Sequence, residues 1–163
     1  MRMSVDGFDF EFEGAINAFI FDEKDRNLPT FHGLSHAMKA VDLIVELEKD
    51  YLFIEVKDFN APDEYQDGNH FDHLREVLKY KYRDTFLYRW AEKKIDKPIR
   101  YLCLLTLENA LISRMNKEIR QQLPLGRPID RWERGIVDHC VVLNEKGWNR
   151  NFQKWPVRRS PNL

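Results

Sequence analysis

The chain has 163 residues, 43% of them hydrophobic and 13% aromatic, which is enough for one domain with a sizeable core. Its formal net charge of −1 excludes attraction of the whole molecule to a polyanion, so nucleic-acid binding would need a local basic patch. The two cysteines, Cys103 and Cys140, lie inside apolar runs, which predicts core thiols rather than a disulfide framework.

From the N-terminus onward, the sequence predicts a chain that does not cross a membrane. The first stretch, MRMSVDGFDFEFEG, is acidic and interrupted by glycine, unlike a secretory signal peptide. No apolar run approaches the ~20 residues that a membrane span needs. We therefore expect a cytoplasmic protein with no membrane partner.

Hydrophobic spacing predicts six elements in the order helix, hairpin, helix, strand, helix, strand. They are a short helix in residues 12–23, a hairpin in 41–57, a helix in 70–94, a strand in 99–107, a helix in 108–122 and a strand in 135–143. This order is typical of one mixed α/β domain whose helices cover a central sheet. We expect that domain to occupy residues 1–145 and a basic C-terminal tail to follow in residues 146–163.

The hairpin in residues 41–57 has one apolar face on each of its strands, because side chains alternate between the faces of a strand. These faces consist of Val41, Leu43, Val45 and Leu47 in the first strand and of Leu52, Ile54 and Val56 in the second. Stacking them on one side of the sheet predicts a register that pairs Val45 with Ile54 and leaves Lys49 and Asp50 as the turn.

In that register three charged residues gather on the opposite face, at one end of the hairpin. Asp42 lies directly opposite Lys57, with their Cβ atoms about 5 Å apart. Glu55 lies opposite Ile44 and is a diagonal neighbour of Asp42, at about 7 to 8 Å. Two carboxylates and an amine suit hydrolysis of a phosphodiester, because carboxylates bind Mg²⁺ and a lysine can position or deprotonate water or stabilise negative charge. The alternative is an ordinary salt bridge between Asp42 and Lys57, with Glu55 solvated.

These residues resemble the motif of the PD-(D/E)xK nuclease superfamily, which includes restriction endonucleases and archaeal Holliday-junction resolvases. In that family an acid at the start of one strand is followed, after a turn, by a strand that carries (D/E)-x-K. The matching residues are Asp42 in AVDLIVEL and Glu55, Val56 and Lys57 in LFIEVKDF. The family often has proline before the first acid, where this chain has Val41. The motif is most similar to that of members of the Holliday-junction-resolvase type.

The resemblance implies a restriction-endonuclease-like fold, with a mixed central sheet flanked by helices, over roughly residues 12–107. It also implies that Asp42 and Glu55 hold Mg²⁺ or Mn²⁺ together with the backbone carbonyl of Val56. Lys57 would then assist the attacking water. We therefore expect a metal-dependent endonuclease that hydrolyses phosphodiester bonds in nucleic acid, with DNA as the expected substrate.

Two further expectations follow from the resemblance. Many members carry a glutamate in the first helix that reaches the metal, for which Glu13 is the first candidate here and Glu23 the second. Nucleases of this type often act as dimers, so the resemblance is compatible with a homodimer of this chain. The alternative function is a catalytically inactive nucleic-acid-binding or interaction module of the same fold.

Basic and aromatic residues alternate in LKYKYRDTFLYRW, residues 78–90 of the predicted second helix. Lys79, Lys81 and Arg83 are the predicted nucleic-acid contacts, because such a face beside the active site can bind phosphates. Lys79 and Arg83 are the best pair, since residues four apart share a helix face. The alternative is a solvated helix face with tyrosines at the edge of the core.

Two other features carry weaker signals. The tail in residues 146–163 interleaves basic and aromatic side chains that could grip nucleic acid by charge and stacking, and a docked or disordered tail is the alternative. His70 and His73 share a helix face, but no further ligand follows at metal-binding spacing. His139 lies in an apolar strand, which predicts a core histidine.

Overall fold

The computed structural model describes residues 1–161, which form eight strands, three α-helices and one short 3-10 helix. The strands are β1 (Arg2–Val5), β2 (Phe8–Glu11), β3 (Asn17–Ile20), β4 (Leu43–Glu46), β5 (Tyr51–Lys57), β6 (Ile99–Leu105), β7 (His139–Leu143) and β8 (Val157–Arg159). The α-helices are α1 (Gly68–Ala91), α2 (Asn109–Gln122) and α3 (Glu145–Asn151), and the 3-10 helix is Pro62–Gln66. No helix in residues 1–161 is long and apolar enough to cross a membrane.

The strands form two sheets. Five strands lie in the order β3-β4-β5-β6-β7, in which β4 is antiparallel to both neighbours and β5, β6 and β7 are parallel to one another. Three strands form a smaller antiparallel sheet in the order β1-β2-β8. The prediction of a mixed α/β fold is therefore confirmed.

Both faces of the five-stranded sheet are covered, so β5 is buried on its two sides. The face of Phe53 packs against the two long helices, with Leu78 of α1 and Met115 of α2 in the same cluster. The face of Ile54 packs against the small sheet and α3, through side chains such as the fully buried Trp148. Burying one such large apolar side chain stabilises the fold by roughly 1.5 to 3 kcal/mol. Packing on both faces therefore fixes β5, the strand that carries three of the predicted site residues (Glu55, Val56 and Lys57).

The hairpin of β4 and β5 has the predicted apolar face but another register. Val45 pairs with Leu52, and the backbone N–H of Leu47 donates to the carbonyl of Asp50 across 2.9 Å, which leaves Glu48 and Lys49 as the loop. The predicted register is therefore wrong by two residues. A shift of two keeps every side chain on the same face, so the apolar pattern alone does not distinguish the two registers.

The predicted first helix in residues 12–23 is wrong, because this segment contains β3. The pairing of β3 with β4 continues at both of its ends. The N–H of Ile16 donates to the carbonyl of Glu46, and the N–H of Phe21 donates to the carbonyl of Asp42, each across 2.8 Å. Hydrogen bonding along the free side of β4 outweighs the helical spacing of the apolar residues.

The predicted C-terminal tail is folded over its described part, residues 146–161. Most of its first half forms α3, in which the indole N–H of Trp148 donates to the carbonyl of Trp155 across 2.7 Å. Its second half contains β8, which pairs with β2 and so completes the small sheet. The last two residues of the predicted tail lie outside the described residues.

Candidate active site

Four charged side chains meet between the β4–β5 hairpin and α1. Lys57 Nζ lies 3.1 Å from Glu55 Oε1. Lys81 Nζ lies 2.7 Å from the same oxygen and 3.7 Å from Asp42 Oδ1. The structure thus brings the three predicted hairpin residues together and adds Lys81 from the following helix. With both acids ionised and both lysines protonated, the formal charges of the four cancel.

The neighbours within the cluster differ from the predicted ones because of the observed register. Leu43 pairs with Ile54, so one position further along the hairpin Asp42 lies opposite Glu55. The predicted register placed Asp42 opposite Lys57 instead. Lys57 forms its ion pair with Glu55, and the Glu55 side chain is fully buried rather than solvated. The simple salt bridge between Asp42 and Lys57 is therefore the wrong description of these charges.

Hydrogen bonds from two elements position Asp42. Its Oδ2 atom accepts a hydrogen bond from the backbone N–H of Val56 across 2.7 Å, which joins it directly to β5. On the other side, the N–H of Val41 donates to Thr85 Oγ1 across 3.0 Å, and the N–H of Lys39 donates to Asp84 Oδ2 across 2.9 Å. Helix α1 consequently holds the chain that leads into β4, and with it the carboxylate of Asp42.

Glu55 is the most deeply buried member of the cluster. Among residues 1–161 its Oε2 atom has neither a hydrogen-bond donor nor an ion-pair partner, and Oε1 has only the two ammonium groups. Burial and then the charge of Asp42 raise the pKa of the Glu55 carboxyl to about 8, although Lys81 and Lys57 oppose this shift. A buried carboxylate with an unpartnered oxygen is costly, and such groups concentrate at functional sites.

Lys57 remains an ammonium group at neutral pH. Burial by itself would lower its pKa, but the carboxylates of Glu55 and Asp42 outweigh burial and raise the pKa of Lys57 above its usual value. About a third of its side chain is exposed (32%), so its ammonium group lies on the solvent-exposed side of the cluster, which we call the mouth. The Lys57 ammonium group can therefore donate hydrogen bonds to a ligand at the mouth.

A further acid approaches the cluster, which the sequence analysis missed. Asp6 and Gly7 form the turn between β1 and β2, with φ values of 46° and 79°. Two consecutive residues in the left-handed region are typical of a two-residue hairpin turn, for which Asp-Gly is a favoured sequence. The dipeptide therefore predicts a turn, but nothing local to it predicts which part of the fold it meets.

The turn lies beside the end of β5. The N–H of Ser160 donates to the carbonyl of Gly7 across 2.9 Å, and the adjacent Arg159 forms a salt bridge of 2.7 Å with Asp58, the residue after Lys57. Burial and the charge of Asp42 raise the pKa of Asp6, and the charges of Lys57 and Lys81 lower it. The Asp6 carboxylate is thus within electrostatic reach of the site.

The two glutamates that were candidates for an additional metal ligand do not join the cluster. Glu13 follows the C-terminal end of β2, whereas the turn that contains Asp6 precedes the N-terminal end of this strand. At about 3.3 Å per residue, about 20 Å of extended chain separates Glu13 from the turn. Its side chain is 70% exposed, 3.9 Å from Lys154. Glu23 accepts hydrogen bonds from the N–H groups of Lys24 and Asp25 in a local turn. The prediction failed because the helix that was to carry both residues is absent from this segment.

The three predicted nucleic-acid contacts of α1 separate into two groups. Lys81 faces the sheet and joins the cluster. Lys79 and Arg83 share another face, as predicted, and lie 5.0 Å and 4.4 Å from the ring centroid of Tyr80. Each is partly neutralised, Lys79 by Glu76 and Arg83 by the adjacent Asp84.

The histidines take no part in the cluster. His70 Nδ1 lies 3.5 Å from Asp67 Oδ2, at the start of α1. Within residues 1–161 no three side chains of the His, Cys, Asp and Glu types converge as metal ligands, so His70 and His73 lack a third partner. The prediction of a core position for His139 is wrong, because this residue begins the edge strand β7 and is exposed.

The donor atoms of the cluster fit a hydrated Mg²⁺ or Mn²⁺ ion. The side-chain ligands available are Asp42 and Glu55, of which Glu55 Oε2 is buried and unpartnered among the described residues. Mg²⁺ retains several waters and commonly binds through one or two carboxylates, so two acids suffice for it. A structural Zn²⁺ site would need four nitrogen, sulfur or oxygen ligands, which this set does not supply.

Comparison with known proteins yields no relative of the chain: no family model, curated protein or solved structure matches it. The geometry of the cluster and the motif in β4 and β5 are therefore the observations that bear on function.

Proposed function

We propose that the protein is a metal-dependent nuclease that hydrolyses phosphodiester bonds, with DNA as the expected substrate. The observation that carries this proposal is the convergence of Asp42, Glu55 and Lys57 around a buried carboxylate oxygen that has no partner within residues 1–161. Burying Glu55 opposes folding, and perturbed buried acids of this kind concentrate at functional sites, which favours a chemical role over a structural one.

The order of elements supports a restriction-endonuclease-like fold for the chain. The hairpin that carries the motif is followed by α1 and then by β6, which lies parallel to β5. This order after the hairpin agrees with the core that the sequence motif implies, whereas β3 stands where that core was expected to begin with a helix.

Asp42 and Glu55 would hold the metal ion through carboxylate oxygens, with the carbonyl of Val56 as a third ligand. When bound, Mg²⁺ or Mn²⁺ supplies positive charge that offsets the charge of the phosphate in the transition state and makes a water molecule more acidic. The hydrogen bond from the N–H of Val56 keeps Asp42 Oδ2 beside β5. Asp42 Oδ1, which lies 3.7 Å from the Lys81 ammonium group, would then be available to the ion once that ammonium group is displaced.

Lys57 would act on the reacting groups as a hydrogen-bond donor. Its ammonium group would orient the attacking water or stabilise negative charge on a phosphate oxygen. Lys79 and Arg83 would contribute modest phosphate contacts, because neighbouring carboxylates already use part of their charge.

The second candidate is a module of the same fold that binds nucleic acid or another partner without catalysis. The observation that favours it is the ion pairing of the cluster, in which two lysines contact the two acids without a metal. Such a network can persist as a structural feature after catalysis is lost.

Cleavage assays with three substrates separate these candidates. Supercoiled plasmid, a four-way DNA junction and a single-stranded RNA are incubated with the protein in Mg²⁺, in Mn²⁺ and in EDTA. We expect cleavage that requires metal and falls at least 100-fold in Asp42→Ala and Lys57→Ala. Lys117→Ala, on the exposed side of α2, is the control that retains activity. Binding without cleavage in every condition would support the second candidate instead.

A further inference from the structure

Lys81 lies against both carboxylates that are proposed to hold the metal. Its ammonium group is 2.7 Å from Glu55 Oε1 and 3.7 Å from Asp42 Oδ1. Only 12% of its side chain is exposed, so the charge is largely removed from water and depends on these partners. Lys57 also forms an ion pair with Glu55, but 32% of its side chain is exposed, so its charge is less removed from water than that of Lys81.

A metal ion bound by the same two acids would be brought close to the Lys81 ammonium. The two like charges would repel strongly there, because the site is buried and water screens charges poorly in such a place. At the same time, Lys81 leaves Glu55 Oε2 without a partner among the described residues. A divalent cation can contact oxygens that one ammonium group does not reach.

We propose that Lys81 is the internal counter-ion of the metal-free site and that a divalent cation exchanges with its ammonium group at Asp42 and Glu55. This inference rests on the proposed metal site and describes its regulation. Lys81 is anchored on α1 by its backbone, and its four-carbon stem is flexible, so the ammonium group can move while the helix stays in place.

The exchange couples metal binding to substrate binding. Before exchange, the formal charge of the two acids and two lysines is zero with Glu55 ionised and +1 with Glu55 protonated, so the site attracts a phosphodiester less strongly than after exchange. After exchange, the same residues with a divalent cation carry a formal charge of +2, and Lys81 is released toward the mouth of the cluster. A phosphodiester is the group that this charge attracts.

Mn²⁺ binding in the absence of nucleic acid tests the exchange. Isothermal titration calorimetry with MnCl₂ is performed on the wild type, on Lys81→Met and on Lys117→Met, which removes one charge from the neighbouring helix. We expect Lys81→Met to bind Mn²⁺ at least tenfold more tightly than the wild type, and Lys117→Met to bind within twofold of it. In EDTA, Lys81→Met should also unfold at a lower temperature, and saturating Mn²⁺ should raise its Tm more than that of the wild type.

Two results would overturn the inference. One is a folded Lys81→Met whose Mn²⁺ affinity is equal to or below that of the wild type; the other is the absence of Mn²⁺ binding in both proteins. If Lys81→Met does not fold, Lys81→Gln, which keeps a polar head, is measured in its place with the same expectation. Failure of the nuclease proposal looks different: Mn²⁺ would bind and respond to Lys81→Met, but no substrate would be cleaved.

Discussion

The ammonium group of Lys81 lies 2.7 Å from Glu55 Oε1. The ammonium group of Lys57, which is on the same strand as Glu55, lies farther from that oxygen, at 3.1 Å. The candidate site is consequently assembled from a hairpin and from the helix that follows it. Because α1 also binds the chain just before β4 through Thr85, one helix positions both an acid and a counter-ion.

The stability of the metal-free protein should depend on the titration of Glu55. In the unfolded chain this carboxyl has a pKa of 4.5, whereas in the fold its pKa is raised to about 8. Between these values the folded protein holds a proton that the unfolded chain releases, so stability falls as pH rises from 4.5 through about 8. We expect a loss on the order of 3 kcal/mol across this range.

Urea denaturation in EDTA at pH 5.5 and pH 8.5 measures this loss. Glu55→Gln has no carboxyl to ionise, so its free energy of unfolding should fall less between the two pH values than that of the wild type. Glu23→Gln, in a surface turn, is the control that retains the dependence of the wild type. Equal losses in Glu55→Gln and the wild type would show that Glu55 titrates normally in the fold.

Thr85 should stabilise the start of β4 through its hydroxyl. Thr85→Val keeps the shape of this fully buried side chain but leaves the N–H of Val41 without its acceptor. An unsatisfied buried N–H costs about 1 to 3 kcal/mol. Chemical denaturation should reveal this loss in Thr85→Val, and a smaller one in Thr85→Ser, which retains the hydroxyl. Equal stability of Thr85→Val and the wild type would mean that another group accepts from Val41.

Asp6 should assist cation binding from the turn between β1 and β2. Asp6→Asn removes the charge but keeps a residue that tolerates the left-handed conformation before Gly7, so the hairpin should remain intact. Loss of one negative charge near the site should weaken Mn²⁺ binding by roughly two- to tenfold. Calorimetric titration measures the change, and Asp130→Asn, at an exposed position far along the chain, is the control. An unchanged affinity in Asp6→Asn would exclude this contribution.

Trp148 should be essential to the fold although it lies in the segment that the sequence predicts as a tail. Its side chain is fully buried against the small sheet, with its ring centroid 5.5 Å from that of Phe10. Trp148→Ala should destabilise the protein by about 3 to 5 kcal/mol through cavity formation. Trp90→Ala, at a side chain that is 59% exposed, should change stability by less than about 0.5 kcal/mol. Similar midpoints for both variants in thermal denaturation would contradict the observed packing.

Local patterns in the sequence are enough to predict which side of the hairpin is apolar and, with it, that Asp42, Glu55 and Lys57 point to the opposite side. The alternation of side chains along a strand is a local property, so it can be read from the sequence without the rest of the fold. The two long helices and β6 were predictable because their apolar patterns are local as well. Helix α1 begins and ends within three residues of its predicted bounds.

Tertiary packing sets the register of the hairpin, the position of Lys81, the approach of Asp6 and the docking of α3 and β8. A two-residue shift of the hairpin preserves its alternation, and the side of a helix that meets a charged cluster depends on how the helix packs. Asp6 is brought to the site by strand pairing between the two ends of the chain. Such contacts depend on which distant segments pack together, and a short stretch of sequence carries no information about its distant partners.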